Sequence, residues 1–322
     1  MKQGKWLMSW ACAAVMFSGV ACAASWPTKP VTMVVPYPAG GATDIVARAI
    51  SEKLTQNWGQ TVVVENRAGA GTTIGASTVA RAAGDGQTLF MTTSAHTISG
   101  HLYKGLSYDP VRDFAPITLV TKVPLVLVVN PDVPAKNLQE FLGYLKKEGG
   151  RVNFASPGNG TAQHLSGELF KIATKTDITH VPYRGDAPAI TDLAGGQVQM
   201  MLATITAVLP MIESGRLRAV AVANDKRVAA LKDVPTFAEA GMPGFQAATW
   251  FGLLAPASID AARVQQIHAD VARIVDTPEM RQRLEGLGGE VVNSTPKAFA
   301  DFMAAETARW GEAVKASGTV AQ

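Results

Sequence analysis

The sequence contains almost no cysteine. Its two cysteines, Cys12 and Cys22, both lie near the start of a 322-residue chain. If cleavage after Ala23 removes that segment, the mature protein has no thiol. Disulfide bonds, thiolate catalysis and cysteine-ligated metal sites are then excluded.

Charge is scarce and nearly balanced. Charged residues make up 17% of the chain, and loss of Lys2 and Lys5 with the leader leaves 27 lysines and arginines against 26 acidic residues. The resulting net charge of +1 argues against nucleic acid and acidic membrane surfaces as partners.

The N-terminal segment has the composition of a secretory signal peptide. Its apolar run, "WLMSWACAAVMFSGVA", is too short and too rich in small residues for a settled membrane span. We therefore expect residues 1–23 to be a cleaved signal peptide and the mature protein to be exported. A retained membrane anchor is a weaker alternative, because polar sequence follows at once. Lipidation at Cys22 is also weaker, because Gly19 stands where a lipobox has leucine or a similar residue.

Short β-branched runs alternate with amphipathic segments along the rest of the chain. Strands are predicted at "VTMVV", "TVVVEN", "QTLFMTT", "RVNFAS", "ITHVPY", "VQMML" and "LRAVAVA", with helices beginning near Ala42 and Thr73. Such alternation is typical of parallel sheets joined by crossover helices. We predict an α/β fold with parallel or mixed sheets flanked by helices.

Two long apolar strands mark the expected crossings between two lobes. One lies within "KVPLVLVVNPDVP", residues 122–134, and the other is "ATWFGLLAP", residues 248–256. They predict one lobe formed by residues 24–124 plus 250–322 and a second formed by residues 125–249. Open α/β sheets bind ligands at the carboxyl ends of their strands, so we expect the ligand between the lobes.

Four turns between a strand and a helix share one composition. They are "PYPAGGATD", "NRAGAGTTIG", "TTSAHT" and "ASPGNGTAQHL". Because their side chains are small, backbone N–H groups at the following helix start can face an anion. Clustered positive charge is missing there, which favours a carboxylate over a nucleotide triphosphate. Asp44 would repel an anion, so it either organises the first loop or is an ordinary acid of a first helical turn.

Other kinds of site have weaker support. "GAGTTIG" has a G-x-G-x-x-x-G spacing, but it follows the second predicted strand at a distance, which disfavours a dinucleotide site. His164 and Glu168 share a helix face and could ligate a metal, although such a pair is more often a packing contact. The sequence contains no G-x-S-x-G elbow, no H-E-x-x-H and no Walker loop. We expect no enzyme activity, no cofactor and no metal.

The chain as a whole resembles the Bug family. The resemblance is carried by "WPTKPVTMVVPYPAGGATDIVAR", "VVVENRAGAGTTIGA", "DFAPITLVTKVPLVLVVNPDVPAKNLQE", "FASPGNGTAQHLSGELF" and "HVPYRGDAPAITDLAGGQVQMMLA", from Trp26 to about Ala316. Members of this family are extracytoplasmic solute receptors of tripartite tricarboxylate transporters. The resemblance implies a two-lobed periplasmic binding protein of the Venus-flytrap kind, type II. It would close over a small organic carboxylate and act with the transporter's membrane subunits, and we expect a monomer.

The resemblance also implies which residues bind the ligand. Backbone amides of the first strand–helix loop would hold its carboxylate, often through bridging waters, and the second lobe would clamp it from the other side. The first-loop candidates are Tyr37, Pro38, Ala39, Gly40, Gly41 and Asp44. Gly71, Thr72 and Ser94 are further first-lobe candidates, chosen for their place in the second and third strand–helix turns and not from the resemblance. The second-lobe candidates are Ser156, Gly158, Gly160, Thr161, His164, Tyr183, Gly185, Asp186 and Ala187.

Two other functions stay open at this point. A sensory receptor that presents its ligand to a membrane signalling protein would have the same fold. An exported enzyme could use the same cleft, but it would change its ligand, whereas a receptor returns it unchanged. The identity of the carboxylate is open as well, because a backbone clamp suits dicarboxylates, tricarboxylates, acidic amino acids and aromatic acids alike.

Overall fold

The structure, a computed structural model, describes residues 26–320. The signal peptide expected at residues 1–23 therefore lies outside the described residues. Within the described part of the chain, no helix is both long and apolar enough to cross a membrane.

Strands and helices alternate along most of the described chain, as the sequence predicts. The first elements are β1 (Val31–Val35), α1 (Ala42–Trp58), β2 (Val62–Asn66), α2 (Thr73–Ala80), β3 (Thr88–Thr93) and α3 (Ala95–Leu102). Next come β4 (Phe114–Val129), α4 (Leu138–Glu148), β5 (Val152–Ser156), α5 (Ala162–Thr174), β6 (Ile178–Pro182), α6 (Asp186–Ala194), β7 (Met200–Thr204), α7 (Ile205–Glu213) and β8 (Arg218–Val222). The last are β9 (Ala248–Pro256), α8 (Ala261–Val275), α9 (Pro278–Gly286), β10 (Glu290–Val291) and α10 (Pro296–Ser317).

The strands form one mixed sheet. Its order is β2-β1-β3-β9-β4-β7-β5-β6, and β8 and β10 pair with β4 outside this path. Strands β1, β2 and β3 are parallel, as are β5, β6 and β7, whereas β9 and β4 are antiparallel to their neighbours. The predicted α/β fold with mixed sheets and flanking helices is therefore confirmed.

Strand β4 exchanges partners along its length. Residues 114–124 pair with β9, whereas residues 125–129 pair with β7 and β8. We call residues 26–124 and 248–320 the first half of the molecule, and residues 125–247 the second half. Movement of these halves as separate lobes stays a prediction.

The long strand begins earlier than the sequence indicates. The sequence predicts it within residues 122–134, but β4 starts at Phe114 and ends at Val129. Pro116 interrupts its first part, and proline lacks a ladder donor and is usual only at sheet edges and bulges. The pairing of β4 with β9 shifts register next to Pro116, which accommodates that residue as a bulge does.

The apolar core continues from one half to the other. It contains Met33 and Phe251 of the first half together with Met201 and Ile205 of the second, all of them buried. A smaller cluster joins α3 and α10 to the start of α5 through Ile98, Leu102, Ala162, Leu165 and Trp310. The two halves thus pack directly against each other around the cleft that separates their loops.

Candidate functional site

Three helices begin at one small cavity between the two halves. This inner cavity has a volume of about 10 Å³, which is room for about one water molecule. Its lining consists of Tyr37, Ala42, Thr43, Thr93, Pro157, Gln163, Asp186, Thr204, Thr249 and Phe251. Among these are residues in the first turns of α1, α5 and α6, where N–H groups lack intrahelical acceptors and negative charge is stabilised.

A larger outer cleft adjoins the inner cavity and shares Tyr37 and Pro157 with it. Its volume is about 630 Å³, which lies within the usual range for small-molecule sites. Its lining consists of Pro36, Tyr37, Pro38, Ala68, Gly69, Ala70, Gly71, Thr72, Ile74, Tyr103, Pro157, Gly158, Asn159, Thr161, Pro182, Tyr183, Arg184 and Gly185. Both halves contribute, so a solute in this cleft would contact each of them.

Asp186 connects the halves at the inner cavity. Its Oδ2 atom accepts a hydrogen bond of 3.2 Å from the N–H of Ala42, the first residue of α1. The resemblance implies that backbone N–H groups of this loop bind the ligand's carboxylate. At the start of α1, the Asp186 carboxylate accepts the hydrogen bond from one such group, the N–H of Ala42. Glycine at position 41 permits this approach, because a Cβ there would come within 3.0 Å of Asp186 Oδ2. Burial raises the pKa of Asp186 to about 6, although the bond from Ala42 opposes the increase.

Asp44 faces the first loop rather than the inner cavity. Its Oδ2 accepts hydrogen bonds from Gly40 N at 3.0 Å and Arg48 Nε at 2.8 Å, and its Oδ1 accepts one from Asn66 Nδ2 at 2.9 Å. Burial alone would raise the pKa of Asp44, but these bonds hold it below the usual value. Asn66 also donates to the carbonyl of Tyr37 at 2.9 Å, so the end of β2 and the start of α1 fix the loop together.

Neutral polar groups of the inner cavity are hydrogen-bonded in pairs. Tyr37 OH and Thr93 Oγ1 are 3.0 Å apart, and Gln163 Nε2 donates to Thr204 Oγ1 at 2.8 Å. Thr249 Oγ1 lies 3.0 Å from Ser94 Oγ, which places Ser94 behind the cavity wall rather than in it. The bond between Gln163 and Thr204 joins α5 to the end of β7.

The loop before α5 is supported by two histidines. Ser156 Oγ lies 2.7 Å from His180 Nε2, and His164 Nδ1 accepts a bond of 3.2 Å from Gly160 N. The two imidazole rings stack with centroids 3.8 Å apart. Burial lowers the pKa of His164 to about 4, and burial together with His164 lowers that of His180 to about 3. Both rings are therefore neutral at pH 7 and hold the loop in place.

The remaining candidates divide between cleft and surface. Pro38 and Gly185 touch across the outer cleft, since a Cβ on Gly185 would lie 2.9 Å from Pro38 Cδ. Cleft-lining candidates further include Gly71, Thr72, Gly158, Thr161 and Tyr183. Ala39, Gly40 and Ala187 are exposed. Gly160 packs against Leu102, to which a Cβ would come within 2.7 Å.

Of the ten residues that line the inner cavity, sequence reasoning named two, Tyr37 and Asp186, and missed eight. Five of the eight lie within the quoted turns: Ala42, Thr43, Thr93, Pro157 and Gln163. Thr93 and Gln163 each stand next to a named candidate, and Thr204 ends an apolar strand, a place where α/β proteins bind ligands. These three had a usable signal. Thr249 and Phe251 belong to an antiparallel strand with no turn motif, so only the pairing of β9 brings them to the site.

A metal centre has no support in the described part of the chain. Among residues 26–320, no group of three or more histidine, cysteine, aspartate and glutamate side chains is arranged to hold a metal ion. Glu168 and His164 remain an isolated pair there, and His164 is engaged with Gly160.

Solved structures of periplasmic binding proteins share this fold. A structure of R. palustris Rpa4515 with adipate matches with a TM-score of 0.89 and 35% identity, covering 91% of this chain and 98% of that chain. Periplasmic binding protein BugD matches with a TM-score of 0.88 and 37% identity, covering 92% and 100%. MatC (Rpa3494) from Rhodopseudomonas palustris with bound malate matches with a TM-score of 0.84 and 36% identity, covering 90% and 100%.

The family follows from the sequence as well as from the fold. A family model described as the tripartite tricarboxylate transporter family receptor, TctC, matches residues 46–319. The matched segment contains both long strands, β4 and β9, and every helix that follows α1. The resemblance to Bug proteins is thereby confirmed, and the chain belongs to the TctC family of periplasmic solute-binding receptors.

Proposed function

We propose that the protein captures a small organic carboxylate in the periplasm and delivers it to the membrane subunits of a tripartite tricarboxylate transporter. The observation that carries this proposal is the convergence of three helix starts, those of α1, α5 and α6, on one cavity between the halves. Helix starts bind anions through free backbone N–H groups and the helix dipole. The organic acids in the related structures, adipate and malate, support the same ligand class.

Recognition would depend on neutral groups. None of the described residues that line the inner cavity is lysine, arginine or histidine. Glycine stands at the N-cap of α1 and of α6, so neither N-cap residue caps its helix with a side chain. Backbone N–H groups, hydroxyls and the Gln163 amide would therefore hold the ligand, as suits a carboxylate of modest charge.

Capture would proceed by closure of two lobes, residues 24–124 plus 250–322 and residues 125–249. Only β4 and β9 carry the chain between the halves, so rotation there would change the cleft without refolding either half. The ligand must bind the closed form better than the open one, because only differential affinity shifts such an equilibrium. Membrane subunits would then recognise the closed shape.

Binding without turnover is the second part of the proposal. The serine–histidine pair of Ser156 and His180 has a short separation, but Ser156 is fully buried and lines neither cavity. His180 is neutral and engaged in ring stacking. A ligand in the cleft would thus not reach this serine, and we expect it to leave the protein unchanged.

A thermal-shift panel tests the function. Adipate, malate, citrate, glutamate and benzoate are compared with neutral sugars and nucleotides on the mature protein. At a ligand concentration about 100-fold above the dissociation constant, linkage stabilises the folded state by about 2.7 kcal/mol, a readily measured shift. Mass spectrometry of the released ligand should show it intact. A shift with a sugar and none with any carboxylate would contradict the proposal, and consumption of the ligand would point to an enzyme.

A further inference from the structure

Tyr103 stands between the outer cleft and a second cavity in the first half. This second cavity has a volume of about 430 Å³, and its lining consists of Gly100, Tyr103, Leu106, Ser107, Tyr108, Asp109, Pro110, Arg112 and Asp113. Among the described residues, Tyr103 alone lines both spaces. It is the C-cap residue of α3, and its side chain is half-buried. The outer cleft would continue into the second cavity if this side chain were absent.

The ring of Tyr103 lies between glycines of the two halves. A Cβ on Gly71, in the first half, would lie 2.8 Å from Tyr103 Cε2. A Cβ on Gly160, in the second half, would lie 3.9 Å from the same atom. Glycine at position 71 is thus what allows the ring to approach the backbone so closely. The ring edge meets both walls of the cleft at its end.

The first-half wall beside this ring has an unusual backbone. Residues 69–72 all have positive φ angles, although two of them, Ala70 at 44° and Thr72 at 81°, are not glycine. Such conformations persist only where the surrounding packing imposes them, and they are concentrated at ligand sites. All four residues line the outer cleft. The ring of Tyr103 packs on the middle of this run, at Gly71, and is thereby fixed in its place.

We propose that Tyr103 is the end wall of the ligand site and sets the maximum length of solute that the closed protein accepts. This inference rests on the proposed function and adds a specificity-determining residue to it. A carboxylate bound at the helix starts would extend the rest of its chain into the outer cleft, whose walls meet at Tyr103. A chain long enough to reach the ring would prevent closure, because the ring is held from both sides.

Chain length distinguishes an end wall from an ordinary contact. Each methylene that is added within the cleft should strengthen binding up to about fourfold, because it buries apolar surface. A methylene that reaches the ring should weaken binding about tenfold or more. Loss of an ordinary contact would weaken binding of every length alike, whereas loss of an end wall should weaken short acids and strengthen long ones.

A chain-length series tests this inference. Calorimetry at pH 7.5 compares straight-chain monocarboxylates and α,ω-dicarboxylates of four to ten carbons. Wild type should show a sharp cut-off in length, and Tyr103→Ala should move the cut-off by two or more carbons towards longer acids. Tyr103→Phe retains the ring and should keep the wild-type cut-off. Tyr144→Ala removes a tyrosine on α4 that lines neither space, and it should keep the cut-off too.

Two further variants guard against a loss of structure. Tyr103→Leu keeps apolar packing against the cluster of α3, α5 and α10 and is shorter than the ring, so its cut-off should move in the same direction if Tyr103→Ala does not fold. Gly71→Ala adds a Cβ where the ring now lies, so it should change the cut-off of the wild type. It should cause no further change in the Tyr103→Ala background. Circular dichroism and thermal melting check the fold of each variant.

The possible failures are distinguishable. If folded Tyr103→Ala keeps the wild-type dependence on chain length, or weakens binding of every length alike, the end-wall inference is overturned while carboxylate capture stands. If neither wild type nor Tyr103→Ala binds any acid of the series, the inference is overturned as well. The proposed function itself falls only if no carboxylate of the thermal-shift panel stabilises the protein.

Discussion

Removing the charge of Asp186 should stabilise the ligand-free protein at neutral pH. Burial raises the pKa of this carboxyl group from 3.8 to about 6 in the folded state. At about 1.36 kcal/mol per pKa unit, that interval corresponds to about 3 kcal/mol, which we take as an upper limit. Asp186→Asn keeps an oxygen for the Ala42 N–H and is neutral at every pH, so it avoids this cost.

The sign of the effect follows from proton linkage. Below pH 3.8 the carboxyl group is protonated in both folded and unfolded chains, and the variant should match the wild type. As pH rises towards 6, the unfolded chain loses its proton first, so wild-type stability falls relative to the variant. Above pH 6 the full difference is present. The gain of Asp186→Asn should therefore be near zero at pH 3.5 and reach up to about 3 kcal/mol at pH 7.5.

Urea unfolding at these two pH values measures the gain. Tryptophan fluorescence follows unfolding, and Asp177→Asn serves as the control, because its exposed carboxylate should give no comparable gain at either pH. Small-angle scattering of ligand-free protein at pH 7.5 gives a second readout. Separation of the halves would hydrate an ionised Asp186, so wild type should be at least as extended as the variant. A variant that is less stable at pH 7.5, or equally stabilised at both pH values, would refute the reasoning.

Gly41→Val should abolish ligand binding with an unchanged circular dichroism spectrum, because even a Cβ at this position would lie 3.0 Å from Asp186 Oδ2. Gly143→Val is the control: its side chain would extend into open space on α4, so this variant should bind the ligand normally. Asp44→Ala should lower both affinity and melting temperature by releasing the first loop, and intact affinity would remove Asp44 from loop organisation. His180→Gln should reduce the loss of stability between pH 6.5 and about 3. Below pH 6.5 the unfolded chain gains a proton on this histidine, whereas burial keeps the ring neutral in the folded chain until the pH falls to about 3. An unchanged acid profile would exclude that contribution.

The layout of the fold could be predicted because local signals agree with it. The apolar run of β1, the glycines before α1 and the helical pattern after Ala42 all specify one strand–turn–helix unit. Apolar patterning failed where proline interrupts it, as in the first part of β4, and at β10, which has only two residues. Register shifts in a sheet cannot be deduced from one strand alone, since they depend on the partner β9.

The site was less predictable, because its decisive contacts join distant parts of the chain. Asp186 has the sequence signature of a first-turn acid, and nothing local shows that its carboxylate reaches Ala42 of the other half. Ser156 likewise has the sequence signature of a ligand contact, but the fold directs its hydroxyl to His180. Loop composition therefore indicates which turns surround the cleft, whereas side-chain directions depend on how the two halves pack.

The most direct test of the central claim is a crystal structure of the protein with its tightest-binding carboxylate. We expect the ligand between the halves, with a carboxylate oxygen about 3 Å from backbone N–H groups of residues 36–43 or 157–161. Contacts from both halves should be present, and no lysine or arginine should be needed to hold the carboxylate. A ligand bound to one half alone, or held outside the cleft by a cationic side chain, would contradict the claim.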